Sequence, residues 1–325
     1  MTNELTTWQG GEIQAAAISP DLYNRFLKFV ETKPQSVETY RRALKPFFMY
    51  LMEKGITQPK RADLLAYRAG LMARVDAGTL SAATVRLYIA AVRRFFTWTE
   101  QEDIYRDISR GLKGAQVAPG YKKMDLAINE VEKVLGSIDR ATEAGRRDYA
   151  IIRLMTTTGL RTIEVANANI EDLATMKGGQ TILYVRGKGR DDRAEFVKVG
   201  GHTEAAIRSY LEARPTATGK DPLFASDSNR NRGGRMTTKS ISRIAKNSLR
   251  AAGLDSKQWT AHSFRHTAGS QAIENGISLH QVQIGLRHRD PKTTEIYIHS
   301  GERARNNMEI VLDGLYTYEE RVISI

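Results

Sequence analysis

Six side chains in this 325-residue chain have the types and order that chemistry at a phosphate ester would use: Arg161, Lys188, His262, Arg265, His288 and Tyr297. Arg161 comes just after a glycine in "TTTGLRTIEVANANIEDL", where one helix is expected to stop and another to start. Lys188 stands between Gly187 and Gly189 in "RGKGR". "AHSFRHTAGS" carries His262, Arg265 and His266 among small residues, and "IGLRHRDPKTTEIYIHS" supplies His288 and, nine residues on, Tyr297. The chain has no cysteine, so disulfides, thiolate chemistry and cysteine zinc sites are excluded and any nucleophile is oxygen or nitrogen.

Phosphoryl transfer without metal has three requirements: a nucleophile at phosphorus, positive charge around the pentacoordinate transition state, and a proton for the leaving 5′ oxygen. Arg161 and Arg265 suit the second, because guanidinium stays charged and can bond two phosphate oxygens at once. Lys188, on a glycine-flanked tip, suits the third as general acid. His262 and His288 can shuttle the nucleophile's proton or bond a nonbridging oxygen. Tyr297 is the one group of the six able to form a covalent phosphoester, and neighbouring cations would lower its phenol pKa. The set contains no acid cluster for a metal, so neither metal nor cofactor is expected.

Taken singly, each residue has a plainer reading. Tyr297 can be a core or surface residue, Arg161 a helix cap or ion-pair partner, and His262 a residue near a helix start. His262 and His266, four apart on one helical face, invite a zinc hydrolase reading, but Arg265 beside them repels a cation and the zincin glutamate is missing. A DNA-binding regulator without catalysis would share the same basic surface.

The elements that must position these groups fall into two parts, as the length suggests. Residues 1–20 are polar, aperiodic and expected to be a disordered lead-in. From residue 21 to 110 helical spacing dominates. Leu22, Phe26 and Phe29 or Val30 mark a first helix; Val37, Tyr40, Leu44, Phe47, Phe48 and Leu51 mark a second, capped by Ser36, ended by Gly55 and expected to kink or break at Pro46. A third helix fits residues 61–72. A fourth, "SAATVRLYIAAVRRFFTWTEQ", turns Val85, Tyr88, Ile89, Val92, Phe95 and Phe96 inward.

Residues 111–125, rich in Gly and Lys, read as an extended basic linker. Beyond them, from 126 to 325, the periods mix. "NEVEKVLGSIDRA" and "RDYAIIRLMTTTG" read as helices, "QTILYVRGKGRDDRAEFVKVG" as two strands around a Gly-rich turn, and "TTKSISRIAKNSLRAAG" as a helix with Ile241, Ile244 and Leu249 inward. Met308, Val311, Leu312 and Leu315 space like a last helix. It packs on its own domain or on a neighbouring subunit.

The formal net charge is +12, with cations spread through both halves. A folded polycation of this kind attracts polyanions by releasing condensed counterions, which makes nucleic acid the expected partner. Candidate DNA contacts are Arg41, Arg42 and Lys45 on the second helix; Arg86, Arg93 and Arg94 on the fourth; Lys122 and Lys123 in the linker; and the stripe Lys239, Arg243, Lys246, Arg250. No apolar run is long enough to span a membrane, and "MTNELTTWQGGE" lacks the plan of a signal peptide, so the cytoplasm is the expected location.

In their order, "TGLRTIEV", "HSFRHT" and "TTEIYIHS", with Lys188 and His288 between and beside them, resemble the boxes of the tyrosine recombinase (phage integrase) family, of the simple two-domain type. The resemblance runs from about residue 20 to the end of the chain. It implies a mainly α fold with a small β-sheet: an all-α, SAM-like core-binding bundle and a mixed α/β catalytic domain, closing as a C-shaped clamp on DNA. It also implies four protomers on two paired sites, each site a pair of inverted repeats around a spacer. Each tyrosine would form a 3′-phosphotyrosyl link that a 5′ hydroxyl reverses, without metal or ATP, and the C-terminal helix would dock in the next subunit. No further arm-binding domain is expected. A type IB topoisomerase has similar chemistry, but the boxes sit closer to the recombinase pattern. One departure stands out: where the family reads Leu-Gly-His, this chain has Leu286, Arg287, His288, and Arg287 is expected to add a phosphate contact or alter the turn.

Overall fold

The computed structural model describes residues 20–30, 34–117, 124–185, 195–288 and 290–295. The chain divides into two compact units between Gly120 and Tyr121. The first contains α1 (Pro20–Phe29), α2 (Pro34–Glu53), α3 (Arg61–Asp76) and α4 (Ala82–Gln101). Local chemistry starts these helices. The Ser81 hydroxyl accepts the Thr84 N–H at 3.1 Å, the Asp63 carboxylate accepts the Lys60 N–H at 2.6 Å, and Pro34 at the head of α2 has no N–H to leave unpaired.

Contrary to the expected break, α2 runs without interruption through Pro46. A proline inside a helix costs about 3 kcal/mol. Burial of Leu44, Phe47 and Leu51 on the same helix returns roughly 1.5–3 kcal/mol for each side chain, so packing wins. Phe26, Phe47, Phe95 and Phe96 form the centre of this core, fully buried and set edge to face, with Phe26 and Phe95 rings 5.4 Å apart at 78° and Phe47 and Phe96 5.9 Å apart at 74°. Val85, Ile89 and Val92 complete the inward face of α4, while Arg86, Ala90, Arg93 and Arg94 lie exposed opposite it.

The segment after α4 does not extend freely from residue 111. Leu112 and Ala115 are buried in the same core. The Arg61 guanidinium donates to the carbonyls of Ile108 and Arg110 at 3.0 and 2.6 Å, and Arg68 donates to that of Lys113 at 2.7 Å. Irregular backbone needs partners for its carbonyls, and two arginines of α3 supply them.

The second unit contains α5 (Ile128–Gly136), α6 (Glu143–Thr158), α7 (Thr162–Asn167), strands β1 (Leu173–Thr175), β2 (Thr181–Val185) and β3 (Glu195–Lys198), then α8 (Gly201–Glu212), α9 (Thr238–Ala251), α10 (Ala261–Glu274), α11 (Leu279–Leu286) and α12 (Lys292–Glu295). The sheet is antiparallel in the order β1-β2-β3, with Leu183 opposite both Leu173 and Val197. β2 and β3 are the two strands anticipated from alternation; β1 adds a third. The Gly-rich tip that carries Lys188 lies outside the described residues. Helix α6 packs on α8 and α10 and buries Ile151, Ile152, Leu154 and Met155 at the centre of the unit. Among the described residues no helix is long and apolar enough to cross a membrane.

Candidate active site

The site is assembled from three chain turns. Helix α6 ends on Gly159, whose φ of 63° lies in the left-handed region that favours glycine. Space demands glycine there as well: a Cβ at this position would sit 2.3 Å from Leu286 Cδ2. Leu160 is buried next, and Arg161 opens α7. Both oxygens of Glu164 hold it, one accepting the Arg161 backbone N–H at 2.7 Å and the other its Nη1 at 3.0 Å. The Arg161 side chain nonetheless stays 37% exposed, whereas that of Glu164 is 2% exposed.

Arg265, on α10, is only 2% exposed. Its two terminal nitrogens donate to the carbonyls of Gly159 and Leu286, at the C-terminal ends of α6 and α11. Helix C-termini carry orphan carbonyls and partial negative charge, so a fork-shaped cation is the group that satisfies two of them together. One turn earlier on α10, His262 is exposed; its ring meets that of His266 edge to face, centroids 4.5 Å apart. His266 is buried, and burial pushes its pKa down to about 4.

The third turn follows α11. Arg287 adopts a left-handed conformation, φ 56° and ψ 47°, with its N–H on the Ile284 carbonyl and the next N–H, that of His288, on the Gln283 carbonyl. Such a helix ending normally calls for glycine, and an L-residue with a Cβ costs roughly 1–2 kcal/mol there. The side chain expected to reach phosphate turns inward instead. Arg287 Nη2 donates to Glu164 at 2.9 Å and Nη1 to the Gly285 carbonyl at 2.8 Å, and the side chain is 7% exposed. Burial by itself would raise the Glu164 carboxyl; Arg287, then the Arg161 backbone N–H, outweigh burial and hold it below the usual glutamate range.

His288 is buried, with Nδ1 and the Thr294 hydroxyl 2.8 Å apart. Its pKa is pushed down to about 4 by burial first, then by the charges of Arg265, Arg161, Arg287 and His262. The clasp of Arg265 sets the geometry: it joins the ends of α6 and α11, so Arg161, two residues past Gly159, and His288, two residues past Leu286, are brought to the same place as His262, one turn before Arg265 on α10, although more than a hundred positions separate them in the sequence. His288 is therefore a neutral imidazole in a cationic surround, a weak base suited to donate a hydrogen bond to an anionic oxygen. Lys188 and Tyr297 lie outside the described residues. Among these residues no group of three or more histidines or acids is arranged to hold a metal ion.

Of the candidate DNA contacts, Arg86, Arg93 and Arg94 are exposed on one face of α4, and Lys45 is exposed on α2. Arg41 and Arg42 share Glu38 in solvent-exposed pairs at 3.6 and 2.8 Å. On α9, Lys239 and Arg243 are exposed, while Lys246 and Arg250 both reach Asp255 at 3.0 Å. Exposed pairs of this kind are weak and easily exchanged. Lys122 and Lys123 fall outside the described residues. Glu164 and Thr294 were not anticipated. The spacing Arg161-x-x-Glu164, an acid at the third helical position, is the sequence signal that could have pointed to Glu164; nothing in the sequence marks Thr294.

Comparison with known proteins gives the family and the fold. The model of the "Phage integrase family" matches residues 125–303, and that of the "Phage integrase, N-terminal SAM-like domain" matches residues 21–103. Tyrosine recombinase XerD of Listeria monocytogenes serotype 4b (strain F2365) is 30% identical over 291 residues, covering 86% of this chain and 94% of the relative. XerD of Proteus mirabilis is 31% identical over 270 residues, covering 81% and 82%. Among solved structures, the XerH site-specific recombinase bound to palindromic difH substrate, in a post-cleavage complex, shares the fold with a TM-score of 0.70 at 22% identity, over 85% of this chain and 80% of that one. A lambda integrase dimer bound to a COC′ core site does so with a TM-score of 0.67 at 16% identity, over 94% and 99%. The chain belongs to the phage integrase family and is a tyrosine recombinase, an enzyme of site-specific DNA recombination.

Proposed function

We propose that this chain cuts and rejoins DNA strands at paired sites through Tyr297. The phenolic oxygen attacks the scissile phosphorus, the bond to the 5′ oxygen breaks, and the phosphate remains on the 3′ side as a phosphotyrosyl ester. Lys188 protonates the departing 5′ oxygen, and His262 or His288 takes the tyrosine proton or bonds a nonbridging oxygen. Arg161 and Arg265 hold the charge that develops on the phosphate. Attack by a 5′ hydroxyl of the partner strand on the phosphotyrosine reverses the sequence and frees the enzyme. The observation that supports the reading is the clasp of Arg265 on the carbonyls of Gly159 and Leu286, which gathers the chain at Arg161 and at His288 around α10 with its His262.

Residues 21–110, with the segment through Ala115 that packs on them, act as the core-binding domain, the residues from there to 125 as the linker and 126–325 as the catalytic domain. Together they clasp duplex DNA, with Arg41, Arg42, Lys45, Arg86, Arg93, Arg94, Lys122, Lys123, Lys239, Arg243, Lys246 and Arg250 along the phosphates. Four protomers linked through their C-terminal helices synapse two sites in the cytoplasm. The likeness to XerH on its DNA and to a lambda integrase tetramer bound to a Holliday junction supports this arrangement. The test is a duplex nicked near the cleavage position. Wild type should yield a covalent protein–DNA band on a denaturing gel and Tyr297→Phe none; an equal band from the variant overturns the assignment of the nucleophile.

A further inference from the structure

We propose that Arg287 is a positioning residue for Arg161: it shares the charge of the buried Glu164 from the opposite side, so that Glu164 orients the Arg161 guanidinium without neutralising it. The inference rests on the reading of Arg161 as a phosphate-binding group. Glu164 receives two guanidinium groups, Arg161 Nη1 on one oxygen at 3.0 Å and Arg287 Nη2 on the other at 2.9 Å. The two are unlike in exposure. Arg287 is enclosed, with 7% of its side chain open, while Arg161 keeps 37% open to a ligand. One cation is therefore spent on the carboxylate and the other remains available.

The backbone supports a purpose for this side chain. Arg287 sits at φ 56°, a conformation in which glycine would be unstrained, and the resembled family reads glycine there. A side chain maintained against that strain needs contacts that outweigh it. Here they are Glu164, the Gly285 carbonyl and, at 3.9 Å, the Glu195 carboxylate on β3. Without Arg287 the Glu164 carboxylate still accepts the Arg161 N–H, but its charge falls on Arg161 alone. Beside a carboxylate as enclosed as that of Glu164, this tightens the Arg161–Glu164 pair and withdraws the guanidinium from phosphate.

The experiment measures single-turnover formation of the covalent complex on the nicked duplex by the full chain at saturating protein, with affinity for the same duplex read separately by fluorescence anisotropy. Arg287→Gly removes charge and backbone strain together, Arg287→Met removes the charge and keeps the strain, and Arg287→Lys keeps the charge. Gly and Met should each slow cleavage on the order of ten-fold with affinity held within about two-fold, and Lys should recover most of the rate. In a Glu164→Gln background, where no charge needs sharing, Arg287→Gly should change the rate little. A wild-type rate in both neutral variants, an equal loss in the two backgrounds, or a loss accounted for by affinity overturns the proposal. Arg161→Ala tests the underlying reading separately. Full cleavage by that variant removes Arg161 from the chemistry, whereas an inactive Arg161→Ala beside a fully active Arg287→Gly overturns only the role of Arg287.

Discussion

Gly159→Ala should damage the fold and the site together, and the size of the damage can be worked out from two local facts. The first is backbone: φ is 63°, and an alanine forced into the left-handed region loses roughly 1–2 kcal/mol relative to its preferred conformations. The second is contact: the new methyl would lie 2.3 Å from Leu286 Cδ2. Leu286 is buried and packs with Val282, Ala268 and Ala272, so it can retreat only by moving them. Because the atom struck is a side-chain end, the overpacking cost belongs near the lower limit of the usual range, about 1 kcal/mol. The sum is a destabilisation of about 2–3 kcal/mol, read as a shift in the urea midpoint. Leu286→Ala removes the struck atom, so in that background Gly159→Ala should cost only the backbone share, leaving a coupling of about 1 kcal/mol. Covalent complex formation should fall in Gly159→Ala, because Arg265 donates to the carbonyls of both residues. Equal costs in the two backgrounds, or a midpoint unchanged in Gly159→Ala, would refute the packing argument.

Two further outcomes follow from the site. Burial holds His266 at about 4 against its ordinary 6.5, so between those values the unfolded chain binds the extra proton; stability is full above about pH 6.5 and falls toward pH 4, by about 3 kcal/mol for this group. His266→Gln should lose that part of the pH slope in denaturation free energy between pH 7 and 4, and equal slopes would count against a buried neutral histidine. Arg265→Lys should lower the cleavage rate by roughly 100-fold or more, since an ammonium cannot present the two-pronged donor to phosphate or to two carbonyls at once. A lysine variant that cleaves normally would show that Arg265 serves the fold alone.

The helices of the first unit were readable because their apolar positions recur at three and four over long stretches: Val85, Ile89, Val92, Phe95 and Phe96 all lie inside. Helix α9 was readable for the same reason, and the hairpin strands β2 and β3 from their alternation instead. β1 was not, because three residues are too few to show a period, and the short α11 ends on an arginine where a stop signal would be glycine. Pro46 misled because a local rule was outweighed by buried side chains on either side of it. At the site, the residue types and their order pointed to Arg161, His262, Arg265 and His288. The partners that hold them could not be read from order. Glu164 and Arg287 are more than a hundred positions apart, and whether an arginine points toward solvent or a buried carboxylate is decided by tertiary packing. Arg287 as a surface phosphate contact was the reasonable expectation from charge alone, and the buried Glu164 carboxylate is what drew it inward.

The clasp of Arg265 on the ends of α6 and α11 bears on how an inert form of this protein should be made. Alanine at this position would loosen two helix termini as well as remove the charge proposed to meet the phosphate, so lost activity and lost architecture would arrive in one measurement. On the role proposed for Tyr297, removal of its single oxygen is the cleaner route to a silent occupant of the DNA site, whereas any Arg265 variant probes the scaffold along with whatever chemistry it serves.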